Sequence, residues 1–235
     1  MSTEKKILVF TATYNEKENI KKLITLIFKH CSNANVLIVD DNSPDKTAEE
    51  IELLKNEFKN ISLIKRDSKL GLDTAHKFAY KYALDKGYDY LITMDADLSH
   101  DPAELTNFIS SLETYPFVIG SRYAPGGKCL MKGRRLLMSK YGNILIKLVL
   151  RINCNEFTTS YRGFDLKKLG SFNLDTVKAS GYSFFMKTIF EISKRKIEIK
   201  EIPITFKDRS QGYSKLPRIE IFRTLLNLFL LILKK

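Results

Sequence analysis

The sequence predicts an α/β protein in which a mostly parallel β-sheet is flanked by helices on both faces. Three observations carry this. From residue 7 to about 120, short apolar runs alternate with segments of helical periodicity. The intervening segments have the length of helical crossovers, which makes βαβ units and a parallel sheet. Polar clusters follow directly after the apolar runs, at the carboxyl ends of the strands, where such sheets bind their ligands.

In chain order, Ile7 to Phe10 reads as a buried strand, and Ile20, Leu23, Ile24 and Ile27 then recur at helical spacing. Val36 to Val39 is a second strand, followed by the polar loop Asp40 to Asp45 and a helix turning Ala48, Ile51, Leu54 and Phe58 inward. Ile61 to Ile64 is a third strand, Thr74 to Leu84 a helix, and Tyr90 to Met94 a fourth strand. Asp101-Pro102 starts another helix, with Asp as cap and Pro in the first position. Beyond residue 120 the pattern is less regular. Lys132 to Ile152 reads as a long helix, its outer half packed onto the sheet; Ile197 to Phe206 alternates as a strand; and Arg218 to Lys235 is an apolar helix with basic ends. The expected organisation is one domain over 1–216 and an apolar, basic helix over 217–235 at the membrane interface.

The 235 residues suffice for a full core, and a composition of 28% charged and 44% apolar residues is that of a folded protein. A formal charge of +12 favours anionic partners. The basic residues are spread along the chain without a recognition module, which argues against nucleic acid. Cys31, Cys129 and Cys154 lie far apart with no CxxC spacing, so neither a disulfide framework nor a zinc site is expected. The polar start, Met1 to Lys6, is not a signal peptide, and Leu225 to Leu233 falls short of the about 20 residues a spanning helix needs. The expected location is cytoplasmic and peripheral at a membrane.

Asp95-Ala96-Asp97 sets two carboxylates at i and i+2 where an apolar strand ends. That arrangement suits Mg²⁺ or Mn²⁺, hard cations that keep water and take further ligands from phosphate; equally, it would cap the next helix. Asp40-Asp41-Asn42-Ser43 reads either as a plain turn or as a loop whose Asp41 accepts bonds from a base or ribose. Thr13-Tyr14-Asn15-Glu16 is open in the same way, either a ligand-facing loop or simply a segment whose Asn15 caps the helix that follows.

Together the strings TATYNEKENI, VDDNSPDKT, GLDTAHKFAYKYA, MDADLSHDP and GSRY, in this order, resemble the family 2 glycosyltransferases of GT-A fold. The Arg135/Ser139/Asn143 series, TTSYRGF, EIPITF and RSQGYSKL resemble its dolichyl- or polyprenyl-phosphate mannosyltransferase branch, and the likeness spans roughly residues 7 to 216. It implies that Ala12, Tyr14 and Glu16 line the nucleotide and that Val39 and Asp41 hold base and ribose. Asp95, Ala96 and Asp97 would meet metal and diphosphate, and Arg122 would lie near the phosphates. Arg209 and Lys215 would belong to a segment that closes over the donor, with Arg135, Ser139 and Lys215 meeting the acceptor phosphate. The residues expected to carry catalysis are Asp97, Arg122, Arg209 and Lys215.

The implied partners are a nucleotide-sugar donor, a lipid phosphate acceptor, the membrane surface and a membrane-anchored partner subunit. The implied reaction is an inverting displacement, with mannose from GDP-mannose as the leading donor and a UDP-sugar with a polyprenyl phosphate or saccharide hydroxyl as the alternative. Some positions depart from the family pattern. Ala12 stands for proline, Glu156 for aspartate, Ser160 for glycine, and Phe185 and Lys187 for glutamine and glutamate. The last two bear on the acceptor. A nucleotidyltransferase, the other metal-using α/β reading, would need a glycine-rich basic loop after the first strand, which TATYNEKEN is not.

Overall fold

The computed structural model describes residues 4–207 and Leu228. Its strands are β1 (Ile7–Thr13), β2 (Asn35–Asp40), β3 (Ile61–Lys65), β4 (Tyr90–Thr93), β5 (Phe117–Ser121), β6 (Lys128–Cys129), β7 (Arg162–Asp165), β8 (Ile199–Pro203) and β9 (Thr205–Phe206). Its helices are α1 (Lys17–His30), α2 (Thr47–Glu57), α3 (Leu72–Asp85), α4 (Leu105–Leu112), α5 (Gly133–Leu150) and α6 (Tyr182–Lys194). The main sheet runs β3-β2-β1-β4-β7-β5-β8, while β6 and β9 form a separate ribbon. β1 pairs in parallel with β2 and β4, β2 with β3, and β5 with β8; β7 is antiparallel to both neighbours. The expected mostly parallel sheet is therefore present.

Strand alternation divides the core in two. Leu8, Phe10, Leu37 and Val39 pack on one face with Ala75 and Ala79 of α3, Ile146 of α5 and Phe184 and Ile189 of α6. Ile7, Val9, Val36 and Ile38 pack on the other with Ile20 and Leu23 of α1, Leu54 of α2 and Phe108 of α4. Leu228 joins the first cluster. Both faces of the sheet are thus buried, which leaves its carboxyl edge as the place where polar loops gather.

The structure corrects four expectations. The single strand over 197–206 is two: Pro203 has no N–H to extend the ladder, and the chain passes from β8 into the β6–β9 ribbon. Asn15 does not cap α1; it is left-handed, with φ 58°, and its N–H donates to Ser43 Oγ at 3.0 Å. The aspartates of 95–97 do not cap the next helix. Asp101 does so, accepting from Ala103 N at 3.1 Å ahead of a 3₁₀ turn, Pro102–Glu104, that leads into α4. Finally, the outer face of α5 does not pack onto the sheet: Asn143, Ile146 and Leu150 are buried, but Leu137, Met138, Tyr141, Ile144, Leu145 and Leu148 are exposed. The helix expected over 218–235 lies outside the described residues, apart from Leu228, which is helical.

β5, β7 and α6 were not legible. β7 is the tetrapeptide RGFD, whose polar ends mask a strand buried along its length. α6 follows the irregular stretch 166–181, and its run FFM, buried throughout, interrupts the helical pattern that Lys187, Glu191 and Lys194 mark on the opposite face.

Candidate active site

The loops after β1, β2 and β4 converge at the carboxyl edge, and each contains a non-glycine residue in the left-handed region: Asn15 (φ 58°), Asn42 (φ 59°) and Leu98 (φ 61°). Such conformations cost about 1–3 kcal/mol each and persist where surrounding contacts fix them, as at ligand sites. Here the fixing contacts are side-chain oxygens. Asp40 accepts from Thr13 Oγ at 2.7 Å and from Ser43 N at 2.9 Å, which ties the first loop to the second. Asp45 accepts from Lys17 N at 3.1 Å and Thr47 N at 3.0 Å, and Thr47 Oγ accepts from Glu16 N. The acidic loop is therefore partly a turn, with Asp40 and Asp45 building it.

Asp41 has a different role. Its Oδ1 accepts from Arg66 Nη1 and its Oδ2 from Gly71 N, both at 3.0 Å. Gly71 reaches this carboxylate with φ 94°, a conformation a side chain would strain. Arg66 Nη1 also donates to Thr74 Oγ at 2.8 Å. Each carboxylate oxygen has a second lone pair, so Asp41 can still accept from a hydroxyl. Opposite, the Lys69 ammonium lies 3.9 Å from the Tyr14 ring centroid, and Asn19 Nδ2 donates to Glu16 at 2.9 Å. Ala12 is half-buried beside the core, and Val39 is wholly inside it, so Val39 supplies shape and backbone to this end of the cleft.

The Asp95-Ala96-Asp97 segment leaves β4 with Ala96 anchored in the core. Asp97 is 4% exposed, and its Oδ1 accepts from Ser99 N and Ser99 Oγ, while the Asp95 side chain is 35% exposed and accepts through Oδ1 from Ser160 Oγ. The Asp95 N–H donates to His100 Nδ1 at 3.1 Å, which places the His100 proton on Nε2, 3.2 Å from Thr159 Oγ. Burial holds the His100 pKa down, against the pull of Asp95 and Asp97, so the ring is neutral. Two carboxylates at a strand end are hard oxygen donors that fit Mg²⁺ or Mn²⁺. Among the described residues no group of three or more His, Cys, Asp or Glu is arranged to hold a metal, so phosphate and water would complete the sphere.

Arg122 follows β5. It forms a bidentate pair with Glu156, Nε to Oε2 at 2.7 Å and Nη2 to Oε1 at 2.8 Å, and Nη2 also reaches Thr158 Oγ at 2.8 Å. Glu156 is fully buried. Burial alone would raise its pKa, but the Arg122 guanidinium and the Thr158 bonds hold it below the ordinary value. A cavity of about 310 Å³ opens beside Arg122 toward α5, lined also by Tyr123, Lys140, Asn143, Lys147 and Asn155. The Tyr123 hydroxyl donates to Ser139 Oγ at 2.7 Å. Arg135 is exposed near the start of α5.

Of the expected residues, the structure gathers Tyr14, Glu16, Asp41, Asp95 and Asp97 at the carboxyl edge, with Arg122 lining the cavity and Ser139 bonded to the Tyr123 that lines it. Arg209 and Lys215 lie outside the described residues. Sequence reasoning missed Arg66, Lys69 and Gly71 at the nucleotide end, and the roles of His100, Thr158, Thr159 and Ser160. His100 and Gly71 sat inside recognisable strings; Arg66 lies between Lys65 and Lys69 after an edge strand and carries no motif.

The chain matches the family described as glycosyl transferase family 2 over residues 8–172. It is 32% identical over 212 residues to an undecaprenyl-phosphate mannosyltransferase of Micrococcus luteus, covering 90% of this chain and 87% of that protein. It is 34% identical over 214 residues to a polyprenol monophosphomannose synthase of Mycolicibacterium smegmatis, covering 89% and 80%. A similar fold is found in glucosyl-3-phosphoglycerate synthase from Mycobacterium tuberculosis, solved with Mn²⁺, UDP and glucosyl-3-phosphoglycerate, at TM-score 0.65, 15% identity and coverage of 97% and 80%. It is also found in a mannosyltransferase from Pyrobaculum calidifontis, solved with GDP-Man and Mn²⁺, at TM-score 0.62, 18% identity and coverage of 100% and 66%.

Proposed function

Because the chain belongs to glycosyl transferase family 2, we propose that it transfers mannose from GDP-mannose to a polyprenyl phosphate at a membrane surface. The observation that carries this reading is the meeting, at one sheet edge, of the Asp41 loop, held by Arg66 and Gly71, with the carboxylates of Asp95 and Asp97. The two mannosyltransferase relatives covering most of the chain support the sugar and the lipid.

In this reading Tyr14, Glu16 and Asp41 hold the nucleoside, and Asp95 and Asp97 hold a divalent cation against its diphosphate. Bound there, Mg²⁺ or Mn²⁺ supplies neutralisation of the charge left on the departing diphosphate. The acceptor phosphate oxygen forms a bond to the anomeric carbon as the bond to the diphosphate breaks, with inversion, and the electron pair leaves on the nucleoside diphosphate. That oxygen is already anionic near neutral pH, so no general base is needed, and catalysis rests on positioning. Arg122 borders the cavity on the acceptor side with Lys140 and Lys147, Ser139 holds the Tyr123 that lines it, and Arg135, Arg209 and Lys215 would add charge.

The membrane reading rests on α5. No helix among the described residues is long and apolar enough to cross a bilayer. The exposed Leu137, Met138, Tyr141, Ile144, Leu145 and Leu148 instead form an apolar face on a segment with no Asp or Glu between Tyr123 and Glu156. Arg134, Arg135, Lys140 and Arg151 are exposed around it, the pattern of a helix lying in an anionic interface. This face would set the cavity beside Arg122 near the lipid headgroups.

The direct test is a donor panel of GDP-mannose, UDP-glucose and UDP-N-acetylglucosamine with either metal and a short polyprenyl phosphate. Preferred consumption of GDP-mannose supports the reading; preferred use of a UDP-sugar transfers it to the alternative donor.

A further inference from the structure

The segment from Asn155 to Arg162 has no regular structure between its ends, yet it makes hydrogen bonds to Arg122, His100 and Asp95. Glu156 and Thr158 hold Arg122. Thr159 takes the His100 Nε2 proton, and His100 in turn accepts the Asp95 N–H. Ser160 Oγ donates to Asp95 Oδ1, while the Ser160 carbonyl accepts from Thr93 Oγ in β4. Asp95 is therefore held from this segment at one carboxylate oxygen directly and at its backbone through His100.

The segment is itself fastened by Arg162. This arginine is fully buried, and no described carboxylate forms an ion pair with it. Its Nε donates to Thr159 O at 2.9 Å, and Nη2 donates to Phe157 O at 3.2 Å and Phe185 O at 2.9 Å. The guanidinium lies 4.8 Å from the Phe185 ring centroid, and burial brings its pKa down to about 9. Burying a cation without a counter-ion costs several kcal/mol. What it gains here is a segment whose carbonyls are fixed to α6.

We propose that Ser160 is a positioning residue for the divalent cation: its hydroxyl sets the rotamer of Asp95 from a segment that Arg162 holds rigid. This rests on the assignment of Asp95 as a metal ligand above. Hydrogen-bonded partners of metal-binding carboxylates orient them, and their loss typically lowers metal affinity about 10–100-fold. The Asp95 side chain is 35% exposed, and among the described residues the Ser160 hydroxyl is the one hydrogen-bond donor to its carboxylate.

The test is Mn²⁺ binding, followed by electron paramagnetic resonance in the presence of GDP or, separately, UDP. Wild type, Ser160→Ala, Ser160→Gly and Asp95→Asn are compared, with thermal melts on each. The expected result is at least a tenfold weaker Mn²⁺ affinity in both Ser160 variants at an unchanged melting temperature. Their transfer rate should recover at saturating metal, which a generally disrupted site would not do. Wild-type affinity in both Ser160 variants, alongside loss in Asp95→Asn, would overturn the proposal and leave the metal assignment standing. No nucleotide-dependent Mn²⁺ binding by wild type would overturn both.

Discussion

Glu156 and Arg122 meet in a bidentate ion pair at 2.7 and 2.8 Å, with Glu156 wholly buried, so the arginine expected to face phosphate already has a carboxylate partner within its own protein. The pair presents a guanidinium held in one orientation to the neighbouring cavity. Breaking a buried pair by removing one partner strands the other charge, at about 3–5 kcal/mol. Glu156→Ala should therefore lower the melting temperature sharply, whereas Arg122→Met with Glu156→Gln should fold nearly as stably as wild type and lack transfer activity. Thermal melts and product assays on the two proteins check this.

Gly127 sits where the chain turns back after Arg122. A Cβ there would lie 2.5 Å from Ser121 O and 2.8 Å from the Arg122 carbonyl carbon, both backbone atoms that cannot swing aside. Gly127→Ala should force the Arg122 loop to shift, costing about 1–3 kcal/mol. Denaturant titration measures the cost, and the apparent KM for the lipid phosphate should rise more than that for the donor.

Two buried histidines make stability fall in acid. Burial brings the His76 pKa down to about 3, and it holds that of His100 below its ordinary value. Both are neutral when folded, and the unfolded chain takes up protons below about pH 6.5. Stability is thus fully present above that value and is lost as pH falls, for His76 down to about 3, at up to about 1.4 kcal/mol per pH unit for each histidine that stays neutral in the folded state. Urea midpoints measured from pH 7.5 to 4.5 should fall steadily; His76→Phe should flatten part of the slope.

The exposed face of α5 accounts for membrane contact without a spanning helix. Fully burying a leucine is worth about 1.5–3 kcal/mol, so Leu145→Glu with Leu148→Glu should reduce recovery with anionic liposomes by more than tenfold. Turnover on a short water-soluble polyprenyl phosphate should stay near wild type. Both leucines are more than 40% exposed, so the fold should tolerate the change.

The donor half of the molecule was legible because its elements obey simple periods. β1, β2 and β4 are apolar runs, their loops are polar, and Asp101-Pro102 marked a helix start that the structure repeats. The acceptor half was not. β7 hides a buried arginine behind the tetrapeptide RGFD, and α6 opens on the wholly buried run FFM. The contacts that set Asp95 and Arg122 come from a segment with no period at all. Long-range pairs such as Ser160 with Asp95 and Glu156 with Arg122 exist only once β7 inserts between β4 and β5, and spacing along the chain carries no trace of them.

The central claim is most directly tested by incubating wild type and Asp95→Asn with GDP-mannose, Mn²⁺ and a short polyprenyl phosphate, and weighing the lipid product by mass spectrometry. The account predicts a lipid phosphate heavier by one hexose residue, dependent on the metal and reduced at least 100-fold in the variant. Equal product from both proteins, or unchanged lipid with every metal tried, would contradict it.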